Sequence, residues 1–374
     1  MTDEPYILSC ESTVDLPYSY VTQRGLPVLF YSYLVDGKEY PDDMGRDPAA
    51  LPRFYGFLRE GKLPSTSQIN VFRYVDFFEP LLQKGDVLHI AFGSGMTPSV
   101  QNALEAADLL RPKYPGRKLC IVDSLCSSSG YGLLVDGAAD LRDQGASLEA
   151  VEQWALANRD QVHHQFFSTD LKYFKRSGRV SGAAATIGSI LSICPIMRLD
   201  DAGRIIAYDK VRGKKAAIQR TVDTMARHAR GGEAYADKCF ICHSDCLADA
   251  EATRDAIAAR FPNLRGPIRI CDIGTIIAAH SGPGTVAVFF FGDKRQPDQP
   301  LSSAAPCPKL PGMALLFCAA DSLAESLPVF CYTSTRIHEE GILCRQSDII
   351  SEISAIGSFF CWGRCCWACC CRPG

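Results

Sequence analysis

No apolar run in the chain reaches the ~20 residues that a membrane-spanning helix needs. The longest candidate, residues 181–197, is full of Gly, Ala and Ser and is stopped by Pro195. The opening residues Met1-Thr2-Asp3-Glu4 carry neither a basic stretch nor an apolar one, so export is not expected. Basic charge is not in excess: 39 Lys and Arg stand against 42 Asp and Glu, a formal net charge of −3. That balance gives no reason to expect a nucleic acid partner. A phosphate-cradling Gly-rich loop with its lysine is missing, as is a set of metal-binding carboxylates, so the chain cannot phosphorylate anything alone. We find no internal repeat. What is present is 374 residues, 47% hydrophobic and 22% charged, the composition of a folded globular protein with room for two domains. A soluble, cytoplasmic protein without a cofactor is expected.

Cysteine is plentiful but unevenly placed. Eight of the 18 lie before residue 296; ten crowd the last 79 residues. A cytosolic chain keeps them reduced, so no disulfide framework is expected. The terminal run from Cys361 to Cys371 does not give paired ligand spacings, and no metal site is assigned to it. A cluster of prolines (Pro297, Pro300, Pro306, Pro308, Pro311) marks a composition break. Residues 295–374 are therefore read as an extension outside the core fold.

Upstream, strand and helix signals alternate. Residues 6–10, 26–35, 87–92 and 118–122 read as strands, the second closing at the Asp36-Gly37 turn. Residues 49–60, 99–110 and 130–144 read as helices. Strands separated by helices at this interval mean βαβ units and a largely parallel sheet. Beyond residue 165 the pattern changes to a hairpin (residues 195–208) and mixed elements, the mark of a smaller α+β lobe. The expected division is 1–165 together with 275–294, then 166–274. A small-residue helix is expected over 183–191.

Several short motifs carry chemistry. Ser65-Thr66-Ser67-Gln68 and Gly93-Ser94-Gly95-Met96-Thr97 are hydroxyl-bearing loops, the second at the carboxyl end of a strand, where open α/β sheets bind ligands. Helix capping alone would also account for them. His280-Ser-Gly-Pro-Gly284 places a histidine at an apparent strand end, available as a hydrogen-bond donor or base. Ser94 and His280 raise the alternative of an acyl hydrolase, although a nucleophile elbow would need Gly at positions 92 and 96, which are Phe and Met. Cys239-Phe-Ile-Cys242-His243 has the spacing of haem attachment, but on a strand the two cysteines point apart. Lys210-Val-Arg212-Gly-Lys214-Lys215 is a basic cluster, most simply a solvated face.

Taken in order, seven pieces form one pattern: Cys10-Glu-Ser-Thr-Val-Asp-Leu-Pro17; Ser65-Thr-Ser-Gln68; Phe92-Gly-Ser-Gly-Met-Thr97 with Gln101-Asn-Ala103; Val122-Asp-Ser124; Asp170-Leu-Lys-Tyr-Phe174 with Ser177-Gly-Arg-Val-Ser181; Lys210-Val-Arg-Gly213; and His280-Ser-Gly-Pro-Gly284. Over residues 5–294 this resembles the DegV family, the fatty-acid-binding partners of bacterial fatty acid kinase. The resemblance implies a two-lobed α/β fold, with a parallel-sheet N-terminal lobe, a smaller α+β lobe and a ligand tunnel between them. It further implies one long-chain fatty acid whose carboxylate is bound by Thr66, Ser94 and His280. Arg179 corresponds to the arginine that engages a separate kinase related to dihydroxyacetone kinases. On this reading the protein is a binding subunit rather than an enzyme. The sequence departs from the family pattern at Gly93 and Pro98, beside Ser94, and at Glu11 and Ser177.

Truncation after Arg295 is expected to leave a single cooperative thermal transition. Calorimetry on the shortened protein checks this, and aggregation or a broadened melt would place the extension in the core.

Overall fold

The computed structural model describes residues 6–180 and 193–297, all within one compact unit spanning residues 1–303. The expected helix at 183–191 and the C-terminal extension lie outside the described residues. In chain order the elements are β1 (Ile7–Glu11), α1 (Tyr18–Gln23), β2 (Val28–Leu29), β3 (Ser32–Val35), β4 (Lys38–Pro41), α2 (Ala50–Arg59), β5 (Ser65–Thr66) and α3 (Val71–Leu82). Next come β6 (Val87–Ala91), α4 (Ser99–Leu110), β7 (Leu119–Asp123), α5 (Ser128–Asp143), α6 (Leu148–Asn158), β8 (Val162–Ser168) and α7 (Lys172–Ser177). The remainder is β9 (Ile193–Leu199), β10 (Ile205–Arg212), α8 (Lys214–His228), β11 (Phe240–His243), α9 (Leu247–Arg260), β12 (Arg269–Asp272), α10 (Thr275–Ser281) and β13 (Thr285–Phe291).

Three sheets result. The first is four-stranded and parallel, in the order β2-β1-β6-β7. The second has six strands in the order β10-β9-β8-β13-β11-β12, antiparallel except for the β11–β12 pair. The third is a small antiparallel sheet, β4-β3-β5. Local sequence explains many boundaries. Asn70 caps α3 by accepting from the Arg73 N–H at 3.0 Å, and Ser147 caps α6 through the Ala150 N–H at 3.2 Å. Helix α4 buries Ala103, Ala106, Ala107 and Leu110, one stripe at helical spacing. Helix α5 packs on α6 and also on β8, β11 and β13, so it forms a shared layer between the parallel and mixed sheets. No helix among the described residues is long and apolar enough to cross a membrane.

Two expectations change. Residues 26–35 are not one strand. The chain leaves the parallel sheet after β2 and enters the small sheet as β3, with the Tyr31 N–H turned to the Ser12 Oγ at 3.1 Å. The Asp36-Gly37 turn is as expected: both residues have positive φ (50° and 79°), which suits a two-residue hairpin between β3 and β4. The division into 1–165 with 275–294, and 166–274, is also redrawn at the sheets. Strands β8 and β13 pair with each other inside the mixed sheet, His163 opposite Phe290 and Phe167 opposite Val286. Only α10, of the returning segment, reaches β3 and β5. Both strands are buried throughout, as central strands covered on two faces must be, and neither the apolar run of β13 nor the mixed sequence of β8 alternates in a way that reveals which sheet it joins.

A carboxylate sits at the middle of the parallel sheet. Glu11, at the end of β1, is fully buried. It accepts hydrogen bonds from the Phe92 N–H at 2.9 Å, from the Tyr74 hydroxyl, and from the Tyr31 hydroxyl at 3.4 Å. Its own N–H donates to the Tyr131 oxygen at 3.0 Å, and that hydroxyl donates onward to the Ile90 carbonyl. Removing the carboxylate strands several buried donors. Glu11→Ala is expected to cost about 3 kcal/mol or more of stability, read by urea unfolding. A loss below about 1 kcal/mol would show that water or relaxation replaces the network.

Candidate functional site

The site lies where α10, β5, the turn after β6 and α7 converge. Helix α10 starts where Asp42 Oδ1 accepts from the Thr275 hydroxyl at 2.8 Å and its N–H at 3.2 Å. It ends at Gly282, whose φ of 67° and whose closeness to Tyr173 leave no space for a side chain: a Cβ there would lie 2.0 Å from the Tyr173 ring. His280 is therefore in the last turn of a helix, not at a strand end as the sequence suggested. The five residues before it, Thr-Ile-Ile-Ala-Ala, are too short and too apolar for periodicity to separate helix from strand.

From that turn the imidazole reaches across to β5. His280 Nε2 and Thr66 Oγ1 are 2.8 Å apart and share a hydrogen bond. Burial, together with the nearby Arg179 and Arg176 guanidinium groups, pushes the His280 pKa down from 6.5 to about 4. At neutral pH the ring is uncharged, with one N–H donor and one acceptor nitrogen.

Both residues line a cavity of about 270 Å³, together with Tyr31, Phe92, Ser127, Phe174 and Arg179. Among the described residues its wall carries hydroxyls, an amide, an imidazole and a guanidinium but no carboxylate. Such a lining favours an anion over a cation. A second, smaller cavity of about 50 Å³ shares Ser127, Phe174, Ile205, Ile277 and Ser281 with the first. It runs deeper, against the apolar side chains Phe166, Leu199, Ala287 and Phe289 of the mixed sheet. The exposed Arg179 stands at the wall of the outer cavity, its Nη1 donating to the Ser177 carbonyl at 2.6 Å.

Thr66, His280 and Arg179 are thus brought to one cavity; Ser94 is not. The turn after β6 folds back on the chain after β7, with the Gly93 N–H on the Cys126 carbonyl at 3.0 Å and the Ser94 N–H on Asp123 Oδ1 at 3.0 Å. Ser94 is left exposed and outside the cavity wall. It is not hydrogen-bonded to His280, whose Nε2 faces Thr66, so the nucleophile–base pair of a hydrolase is not assembled. Ser127, Gln68 and Tyr31 line the cavity without having been singled out as site residues. The signal for Ser127 was available: the serines 127–129 begin four residues beyond the carboxyl end of parallel strand β7.

The cysteine–histidine motif resolves differently. Cys242 reaches Ser128 Oγ at 3.2 Å and borders the deeper cavity, while His243 Nδ1 accepts from the Cys246 N–H at 3.5 Å. Burial raises the Cys239 thiol to about 12. In the basic cluster Lys214 pairs with Asp249 at 2.6 Å on the surface.

Fold and cavity define a class: a two-lobed α/β protein with two adjoining cavities, one bearing the polar groups Thr66, His280 and Arg179 and the other lined mainly by apolar side chains. The chain belongs to the DegV family, whose model (Uncharacterised protein, DegV family COG1307) matches residues 8–293. A DegV domain-containing protein of Clostridium perfringens is 36% identical over 78% of this chain and 99% of its own length. Among solved structures, a fatty-acid-binding DegV family protein of Thermus thermophilus is 26% identical with a TM-score of 0.68, covering 77% of this chain and 99% of that one. The fatty acid binding protein DegV of Bacillus subtilis, at 22% identity and a TM-score of 0.65, shares the fold over 77% of this chain and 99% of its own.

Because the folded state depresses the His280 pKa, its contribution to stability is fully present above pH 6.5 and is lost as pH falls through about 4. The ring resonances of His280 in an NMR titration are expected to shift with a midpoint near 4. A midpoint near 6.5 would show that the ring is solvated and free to charge.

Proposed function

We propose that the protein binds one long-chain fatty acid, with Thr66 and His280 holding the carboxylate and the acyl chain running inward past Phe174 and Ile277 toward Phe166 and Phe289. The observation that carries this reading is the Thr66–His280 pair, joined at 2.8 Å, at the polar end of a chamber whose inner end is apolar. The neutral imidazole and the hydroxyl hold two donor hydrogens between them, one used in their mutual bond. The pair gives one hydrogen bond to a carboxylate as it stands and two once the carboxylate replaces that bond, without the desolvation that a buried ion pair demands. Arg179 and Arg176 add positive potential outside. Each buried methylene of the tail contributes about 0.8 kcal/mol, so the tail supplies most of the affinity and the head group supplies orientation. The fatty acid binding of the Thermus thermophilus relative supports a fatty acid as the ligand.

We further propose that the bound carboxylate is presented to a separate ATP-dependent kinase related to dihydroxyacetone kinases, which forms the acyl phosphate. Arg179, exposed beside the mouth, is assigned to that partner. The protein then acts as a carrier in the cytoplasm rather than as a catalyst. Ser94, exposed at the neighbouring turn, drops out of the carboxylate set.

Protein purified from a bacterial host is expected to release about one fatty acid per chain on denaturation, identified by mass spectrometry. Thr66→Ala and His280→Ala should each weaken binding about tenfold, the usual effect of losing one donor to a charged acceptor, while Ser94→Ala should change it less than about threefold. Arg179→Ala should keep the lipid and the melting temperature and lower acyl-phosphate formation in a reconstituted assay. Lipid-free protein that takes up no labelled fatty acid sinks the reading; ester hydrolysis abolished by Ser94→Ala would favour the hydrolase instead.

A further inference from the structure

Adjacent histidines on β8 face opposite ways. His164 borders the deeper cavity, while His163, one residue earlier, lies on the other face of the sheet, opposite Phe290 of β13. There it meets two groups from distant parts of the chain: His228, the last residue of α8, and Asp293, two residues beyond β13. We propose that His163, His228 and Asp293 form a binding site for one divalent transition-metal ion of the zinc, cobalt or nickel class.

The backbone holds these groups in place. Ala229 and Gly292 form an isolated bridge, the Asp293 N–H donates to the His228 carbonyl at 3.0 Å, and the Gly292 N–H donates to the Gln161 carbonyl at 2.8 Å. Gly292 passes so close that a Cβ would lie 2.3 Å from the His228 carbonyl oxygen and 2.7 Å from His163 Cδ2. This pinning aims the Asp293 carboxylate at both imidazoles. His163 Nε2 is 2.8 Å from Asp293 Oδ1, and His228 Nδ1 is 3.2 Å from both carboxylate oxygens. One ligand atom from each of the three residues lies within 4.8 Å of the others. Ligands about 2.0 Å from a tetrahedral zinc ion are separated by roughly 3.3 Å. Both imidazole–carboxylate spacings are near that value, and an ion would replace the hydrogen bond that His163 Nε2 now gives the Asp293 carbonyl at 3.0 Å.

The surroundings suit the same assignment. The His163 ring is stacked on Phe290 (centroids 5.1 Å apart, planes at 10°) and lies beside His228 (5.3 Å, 25°), so the partly exposed His228 ring would turn about its side-chain bonds to share an ion with it. His163 is buried, whereas the His228 and Asp293 side chains are 38% and 57% exposed, which leaves an entry path and room for water as a fourth ligand. Two imidazoles and one carboxylate suit zinc, cobalt or nickel, whereas calcium and magnesium prefer an all-oxygen shell. A bound ion would tie the start of β8, the end of α8 and the segment after β13 together. The set was invisible in the sequence because its members are separated by 65 residues in each interval (163, 228, 293).

The test uses the reduced full-length chain and Co²⁺, because the many cysteines would also bind metal. Thiolate-bound cobalt shows intense charge-transfer absorption; cobalt held only by nitrogen and oxygen shows weak ligand-field bands without it. One equivalent of the second type is expected in the wild type. His228→Ala and Asp293→Asn, both at partly exposed positions, should each raise its Kd at least about tenfold and leave any thiolate-type absorption unchanged. Metal-free melts of both variants establish that they are folded. Absence of the nitrogen- and oxygen-type signal from the wild type, or its persistence at unchanged affinity in both folded variants, overturns the proposal. Fatty acid content is read separately, so failure here leaves the carrier reading intact.

Discussion

Everything around the cavity hangs on a carboxyl group placed where water does not reach. Glu11 is wholly buried at the carboxyl end of β1, and a buried carboxylate is tolerable only if hydrogen-bond donors surround it. Those donors come from separate places: the backbone at Phe92, the hydroxyl of Tyr74 on α3, and the hydroxyl of Tyr31 where the chain crosses between sheets. Satisfying one side chain therefore fixes the spacing of β1, β6 and α3. Two of the donor residues, Tyr31 and Phe92, also form part of the cavity wall. The polar demand of the sheet centre and the shape of the binding chamber are thus one constraint.

The chamber itself joins two unlike environments. Its outer wall draws on the small sheet and α10, and its inner wall on the mixed sheet. Shared residues such as Phe174 and Ile277 lie at the boundary, where a ligand of mixed character would change from polar to apolar contact. Charge at the mouth is arranged with economy. The arginines stand outside, the imidazole inside is held neutral by burial and by those same arginines, and no acidic group among the described residues interrupts the wall.

Much of this architecture was legible in the residues. Helix α4 has the bounds its alanine stripe indicates, and the Asp36-Gly37 hairpin follows from the ease with which those two residues adopt positive φ. Thr66, His280 and Arg179 emerged from ordered motifs, and the structure gathers all three. Other features depended on long-range packing. Whether residues 26–35 form one strand or two is decided by Ser12, which captures the Tyr31 N–H and turns the chain. Whether 275–281 is a helix is decided by its anchor on Asp42 and the close passage of Gly282 against Tyr173. The exposure of Ser94 follows from Asp123, 29 residues away, which takes the Ser94 N–H and sets the turn. None of these partners is visible within a local window.

The position of β13 also bears on how the protein is made. It is the last strand among the described residues, yet it lies inside the mixed sheet between β8 and β11. On a ribosome, both of those neighbours emerge well before the strand that separates them, and their hydrogen-bonding edges stay open until residue 291 has cleared the exit tunnel. Such edges invite association with other chains. The parallel sheet is complete after β7 and can form early; the mixed sheet can close only when β13 slides into the gap. The deeper half of the chamber, lined by Ala287 and Phe289, therefore comes into being only after β13 has emerged. A hydrophobic molecule already nearby at that moment could be enclosed as the sheet shuts, which makes the timing of translation a determinant of what the chamber first contains.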